Sequence, residues 1–338
     1  MSDFQTVPGF EDVWRPPVRA RAVWPSATLS PAAGDPIRYR LARIVDRAPE
    51  VMVKITGRTR DADHLLAHLR YISRNGQLEL EGPDGQRVVG RDEVAELAAD
   101  WAAAAEADNG RRGNSPISCS VVLSMPAGTN EIALRDAARA FAEAAFGDRY
   151  DYVLALHTDT PRPHVHLAVC ARGRDGERLN PKKADLEQWR QIFAKTLRER
   201  GVEAEATPRR ARGITRKAER TPLRKMRERY QAGGSPLARV RREAYREAAK
   251  AAFGARGGPE LWEKGLLERQ RQVRTVYLAQ ARLLQRCGSP EDRDLGFKLE
   301  AFVRAMPAPD TQRLGLAREL RAAAAVDRQS QRSNDRMC

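Results

Sequence analysis

The stretch from Tyr152 to Cys170 constrains the fold more than any other part of the chain. Tyr152-Val153-Leu154-Ala155-Leu156 is apolar and strand-like, and so is Leu167-Ala168-Val169-Cys170. Between them runs His157-Thr158-Asp159-Thr160-Pro161-Arg162-Pro163-His164-Val165-His166. Two strands joined by a Pro-rich turn bring His157 back beside His164 and His166. These last two lie two positions apart and share one face of a strand. Three of the five histidines in the chain thus converge on one point, with Asp159 close by. A lone histidine on an apolar strand is usually a packing or surface residue, and a pair at i, i+2 can arise by chance. Three with an acid, flanked by strands, read as a divalent-metal site with room left for a substrate oxygen.

The remaining ordered chain alternates strands and helices. Residues 1–48, rich in Pro, Ala and Arg, show no sustained period and read as an irregular extension. Val51 to Ile55 reads as a short strand ending at Gly57. Asp61 to Arg74 follows as a helix, with Leu65, Leu69 and Ile72 at helical spacing and Asp61 or Asp63 as its N-cap. Asn75-Gly76 stops it. Gln77–Leu80 and Gln86–Val89 form a hairpin around Gly82-Pro83-Asp84-Gly85. An Ala-rich helix spans Asp92 to Ala107. Ile117 to Ser124 is a largely buried central strand, and helices follow at about 130–146 and 185–200. These elements predict an α+β fold: a central antiparallel or mixed sheet with flanking helices over 49–206.

Beyond that domain the character changes. Residues 207–250 hold 15 Arg and Lys against four Glu, a net +11 of the chain's +15. They read as basic helices that lie on a polyanion, with Gly233-Gly234-Ser235-Pro236 as a hinge; the bland alternative is a solvated helical tail. Residues 251–338 are helical again, with Arg328 to Cys338 expected to be disordered. A sequence pI near 10.2 points to nucleic acid before an anionic membrane. Four scattered cysteines without CxxC spacing argue against a disulfide framework or zinc ribbon and suit a reducing cytoplasm. No apolar run reaches membrane-span length, so membrane insertion is not expected.

A histidine metal site on a sheet in a basic protein suggests phosphodiester chemistry, with water or a tyrosine as the attacking group. Here three blocks carry a specific resemblance. Leu69-Arg70-Tyr71-Ile72-Ser73-Arg74-Asn75-Gly76-Gln77-Leu78-Glu79-Leu80 resembles the first motif of conjugative relaxases, in the mobilisation-nuclease branch that contains the T-DNA border endonuclease. Ser120-Val121-Val122-Leu123-Ser124-Met125-Pro126-Ala127-Gly128-Thr129 resembles the second motif. His157 to His166 resembles the third, the HxDx₃PHxH pattern of His-hydrophobe-His (HUH) nucleases. Arg212-Gly213-Ile214-Thr215 resembles a segment that follows the catalytic core. The blocks occur in the family's order, and the resemblance covers roughly residues 50–220.

The resemblance implies an HUH-nuclease-like palm and a site- and strand-specific DNA nickase. Tyr71 would be the nucleophile, and His157, His164 and His166 would hold a divalent metal, Mg²⁺ or Mn²⁺ before Zn²⁺. Asp159 would be the family acid, orienting a histidine or accepting the tyrosine proton. Ser124 and Arg74, with Arg209, Arg210, Arg212, Arg216 and Lys217 of the basic segment, are the candidate DNA contacts. Cys170 departs from the pattern, standing where an Asn often follows the histidine strand. The implied partners are single-stranded DNA at a transfer origin, accessory relaxosome proteins and a type IV coupling protein. The implied location is the bacterial cytoplasm, with translocation alongside DNA. A replication-initiator nickase and a non-catalytic basic DNA-binding protein are the competing readings. No GxxxxGK[ST] run marks a helicase.

Overall fold

In a computed structural model, which describes residues 4–14, 37–216, 219–254 and 258–334, the histidine strands lie inside a six-stranded sheet. The strands are β1 (Met52–Thr59), β2 (Leu80–Glu81), β3 (Arg87–Val88), β4 (Ser118–Ser124), β5 (Tyr152–His157) and β6 (His164–Cys170). They run in the order β1-β4-β6-β5-β2-β3, and every neighbouring pair is antiparallel. The fold over these strands is α+β, with helices on both faces.

The two faces follow from strand alternation. On one face Val121, Leu123, Val165 and Leu167 pack with Leu134 and Phe141 of helix α4 (Glu131–Ala142) and with Trp189, Phe193 and Leu197 of helix α5 (Lys183–Arg198). On the other face Val153, Ala155 and Ala168 pack with Leu65, Leu69 and Ile72 of helix α2 (Ala62–Ile72). Helix α3 (Gly90–Glu106) adds Val94, Ala98 and Trp101 to that layer. Burial on both sides explains why β4 is apolar or small throughout, with all seven residues buried. The histidines stand on the α2 face, past the end of that helix.

By its contacts the chain divides into Pro16–Thr207 and a second unit made of Pro208–Cys338 with Met1–Arg15. The second unit is helical: α6 (Thr221–Gln231), α7 (Arg239–Phe253), α8 (Leu261–Gln285), α9 (Pro290–Arg304) and α10 (Gln312–Asn334). Helix α7 packs Ala248 and Ala251 against Leu316 and Ala317 of α10. No helix among the described residues is long and apolar enough to cross a membrane.

Four expectations change. The extension over 1–48 is not irregular throughout. Residues 4–14 include a 3₁₀ turn at Glu11–Val13, bury Phe10, and donate from Trp14 Nε1 to the Tyr277 hydroxyl at 3.0 Å. Helix α1 (Ile37–Val45) buries Leu41 and Ile44, an apolar spacing that its Arg-rich surroundings hide. The strand expected to end at Gly57 continues to Thr59 through a bulge between Ile55 and Gly57. The hairpin is only two residues long on each side, because Pro83–Gly85 forms a 3₁₀ turn that occupies its tip. Finally, the tail expected to be disordered from Arg328 is helical to Asn334.

The turn after α2 is a tight one. Arg74, Asn75 and Gly76 all have positive φ, at 51°, 57° and 80°. A Cβ on Gly76 would lie 2.4 Å from the Gly90 carbonyl carbon and 2.6 Å from the Arg91 nitrogen, both backbone atoms that cannot turn aside. Gly76→Ala is therefore expected to destabilise the protein by about 1–3 kcal/mol in urea denaturation. An unchanged midpoint would show that the turn can move.

Candidate functional site

The site begins with strand register. His157 of β5 lies directly across from His164 of β6, and His164 lies directly across from Ser124 of β4. His166, two residues on, shares that face. One ring nitrogen from each of His157, His164 and His166 lies within 4.8 Å of the other two.

Two backbone carbonyls set the histidine tautomers. His157 Nε2 donates to the Ile72 carbonyl at 2.8 Å, which leaves Nδ1 with its lone pair. His164 Nδ1 donates to the Arg162 carbonyl at 3.1 Å, which leaves Nε2 with its own. His166 Nε2 is buried and has no hydrogen-bond partner among the described residues. Imidazoles that donate one N–H to a carbonyl and aim the other nitrogen inward are the usual arrangement of metal ligands. The donor set fits a divalent cation, and three nitrogen donors leave coordination positions for oxygen.

Burial, more than charge, keeps His157 and His166 neutral. Burial pushes His166 down from 6.5 to about 3, with the His157 and His164 rings acting in the same direction. Burial also lowers His157, further helped by Arg74 and His164, against an opposing pull from the Ile72 carbonyl and Asp159. A neutral imidazole is the ligating form.

Tyr71 enters from the last turn of α2. Its ring is 54% exposed and stands edge-on to His166, with centroids 5.4 Å apart; the His157 ring is 6.1 Å away. Arg74 follows in the left-handed turn. Its Nη2 donates to Asp159 Oδ2 at 2.6 Å and faces His157 Nδ1 at 3.2 Å. Its guanidinium also lies 5.8 Å from the Tyr71 ring centre. Desolvation raises the Asp159 carboxyl, but the bond and charge of Arg74 together outweigh it and hold the group below the usual carboxylate range.

The structure thus brings together Tyr71, Arg74, His157, Asp159, His164 and His166. Ser124 stands in the same row, its hydroxyl donating weakly to the Pro163 carbonyl at 3.4 Å. Arg209, Arg210, Arg212 and Arg216 belong to the other unit. There Arg210 Nε donates to the Val13 carbonyl at 3.4 Å, and Arg216 pairs with Glu319 at 3.0 Å and Asp310 at 3.6 Å. Lys217 lies outside the described residues. Of the two other histidines, His64 is exposed and pairs with the N-cap Asp61, while His68 packs near Ser120 Oγ at 3.4 Å. Cys170 is buried at the far end of β6, and burial raises its thiol. The carbonyls of Ile72 and Arg162 escaped sequence reasoning, because a backbone acceptor leaves no residue-type signal.

Residues 71–202 match the family model described as relaxase, MobA/VirD2-like, nuclease domain. That segment begins at Tyr71 and contains all three site histidines. That segment is similar to the nuclease domain of MobA/VirD2-like relaxases. The T-DNA border endonuclease VirD2 of Rhizobium radiobacter is 30% identical over 189 residues, covering 50% of this chain and 44% of that protein. VirD2 of Agrobacterium fabrum is 29% identical over 188 residues, covering 50% and 42%. The chain thus spans less than half the length of these curated relatives. A solved structure titled "Molecular Basis of Vancomycin Resistance Transfer in Staphylococcus aureus" aligns at 15% identity and a TM-score of 0.33, covering 48% of this chain and 99% of the other.

The depressed pKa of His166 predicts a pH dependence. The unfolded chain takes up a proton as pH falls below 6.5, and the folded chain resists it down to about 3. Stability from this neutral ring is therefore full above pH 6.5 and drains as pH falls from there. Melting curves in EDTA should fall more steeply between pH 7 and pH 4.5 for the parent than for His166→Leu, which has no such proton to gain. Parallel curves would contradict this.

Proposed function

We propose that the chain is a site- and strand-specific DNA relaxase, which nicks single-stranded DNA at a transfer origin by transesterification. The observation that carries the reading is the seating of the Tyr71 ring against two members of the histidine cluster. A phenol at that place lies beside the point where the three imidazoles converge. In this reading the Tyr71 oxygen attacks phosphorus, and the bond from phosphorus to the 3′ oxygen breaks. The phenol loses a proton and the departing 3′ oxygen gains one. The products are a 5′-phosphotyrosyl link and a free 3′-hydroxyl. One phosphodiester replaces another, so the step is reversible and the strand can be rejoined.

His157, His164 and His166 would hold the divalent metal, Mg²⁺ or Mn²⁺ in preference to Zn²⁺. When bound it supplies positive charge to a non-bridging phosphate oxygen. Asp159, ion-paired to Arg74, suits orientation better than proton abstraction. A carboxylate held below its usual range is a weak base. Arg74, anchored by Asp159 and reaching His157, would meet a phosphate beside the histidines. Ser124 extends the row of polar groups.

The basic segment, including Arg209, Arg210, Arg212, Arg216 and Lys217, is assigned to the DNA backbone on its charge. Strand separation is assigned to accessory relaxosome proteins. Delivery from the bacterial cytoplasm is assigned to a type IV coupling protein.

The test uses an oligonucleotide bearing the origin of the element that encodes the chain, with Mn²⁺ or Mg²⁺. The parent should give a covalent adduct that survives denaturing gels, and peptide mapping should place the DNA on Tyr71. Tyr71→Phe should lower adduct formation by about 10³-fold or more. An adduct at another residue would overturn the assignment. Metal binding is a separate test: Mn²⁺ should raise the melting temperature of the parent and leave that of His164→Ala/His166→Ala unmoved. Equal shifts in both proteins would remove the histidines from the metal site.

A further inference from the structure

Edge strand β1 adds a cation to the face that carries the histidines. Its register sets Met52 across from Ser124 and Lys54 across from Val122. Strand β6 continues both rows, with His164 beyond Ser124 and His166 beyond Val122. The rows therefore read Met52-Ser124-His164-His157 and Lys54-Val122-His166-Ala155. Residues opposed in antiparallel strands share a face, so Lys54 stands on the site face, two strand spacings or about 10 Å from His166.

The bulge between Ile55 and Gly57 separates this end of β1 from the other. Beyond it Gly57 and Thr59 pair with Ser120 and Ser118, the part of the face where His68 of α2 packs and where Thr59 is buried. On the histidine side of the bulge, Met52 is 46% exposed and Lys54 is exposed. Lys54 makes no ion pair among the described residues. An exposed, unpaired ammonium at the end of a row that begins at a phosphate-handling cluster is a binding group for polyanion.

We propose that the single strand crosses the sheet from the histidines towards β1, and that Lys54 binds a backbone phosphate flanking the scissile one. This rests on the nicking reading above. Lys54 is a positioning residue: it holds the strand in register and takes no part in bond breaking. Met52, beside it on the same face, offers apolar surface to a base.

The experiment measures equilibrium binding in a Tyr71→Phe background, so that no adduct forms. The probe is a fluorescein-labelled oligothymidylate of about 15 nucleotides, titrated by anisotropy over a range of NaCl concentrations. Removing one phosphate contact should lower the slope of log K against log salt by about 0.7. Lys54→Ala and Lys54→Gln should both show that loss, with affinity at low salt falling about fivefold. Lys54→Arg should keep the parent slope. Arg58, across from Cys119 on the opposite face, is the control, and Arg58→Ala should leave the slope unchanged. An unchanged slope in Lys54→Ala overturns the proposal, as does an equal loss in Arg58→Ala. Failure of the Tyr71→Phe parent to bind the probe at all also overturns this proposal, whereas the nicking reading falls only if the parent gives no adduct on the origin oligonucleotide, so the two failures are distinct.

Discussion

The hydrogen bond from His157 Nε2 to the Ile72 carbonyl ties the site together. It joins two residues 85 positions apart, one at the end of β5 and one at the end of α2. The last carbonyls of a helix lack intrahelical partners and must be satisfied from outside. In α2 the Leu69 carbonyl accepts from Ser73, Arg70 from Asn75, and Tyr71 from Arg74. Ile72, next in line, accepts from the histidine. The bond completes the helix terminus, selects the His157 tautomer, and fixes the height of Tyr71 above the sheet. Rotating His157 would therefore leave a carbonyl unpaired and release the turn that carries Tyr71 and Arg74.

That turn runs through three successive left-handed residues, two of them with side chains. Such conformations cost about 1–3 kcal/mol each where a side chain is present. Local bonds offset the cost. Ser73, fully buried, accepts from the Gly76 nitrogen at 3.1 Å, and its carbonyl accepts from Leu78 at 2.8 Å. The strain has a use: a helix carried one turn further would take Arg74 away from Asp159 and His157.

Much of this was legible in the sequence, for reasons that differ by element. The sheet showed because β4, β5 and β6 are continuous apolar runs, and the histidine cluster showed because period-two alternation around a Pro-rich turn allows little else. Helix α2 showed through Leu65, Leu69 and Ile72, and Asp61 is its N-cap, accepting from the His64 nitrogen. Tyr71 was legible only by its motif, since an exposed tyrosine near a helix end has no periodic signature. Long-range packing hid the rest. Helix α1 is held by Arg43 bonding Glu205 at 2.8 Å, and the segment 4–14 by Val7 donating to Gln280 at 2.8 Å. Neither partner is visible from the local sequence. The bulge in β1 shifts the face of every residue after it, so strict alternation from Val51 would have misassigned Thr59 and its bond to Ser118.

The protonation of His157 depends on which of two opposed effects is larger. Its bond to the Ile72 carbonyl, at the negative end of the α2 dipole, favours the charged ring. Burial, the Arg74 guanidinium and the neighbouring imidazole oppose it, and the net effect is a pKa below the ordinary value. Desolvation prevails because His157 is only 1% exposed, whereas a helix terminus contributes a fraction of a unit charge. The same hydrogen bond nevertheless holds its proton on Nε2, so Nδ1 stays free of one. The α2 terminus thus sets where the proton sits, and burial sets how many protons the ring carries. Arg74 donates to the Nδ1 lone pair that a cation would also take, which makes the two competitors for one nitrogen. Asp159 bears on that competition without touching the ring, since its grip on Arg74 determines how readily the guanidinium turns away.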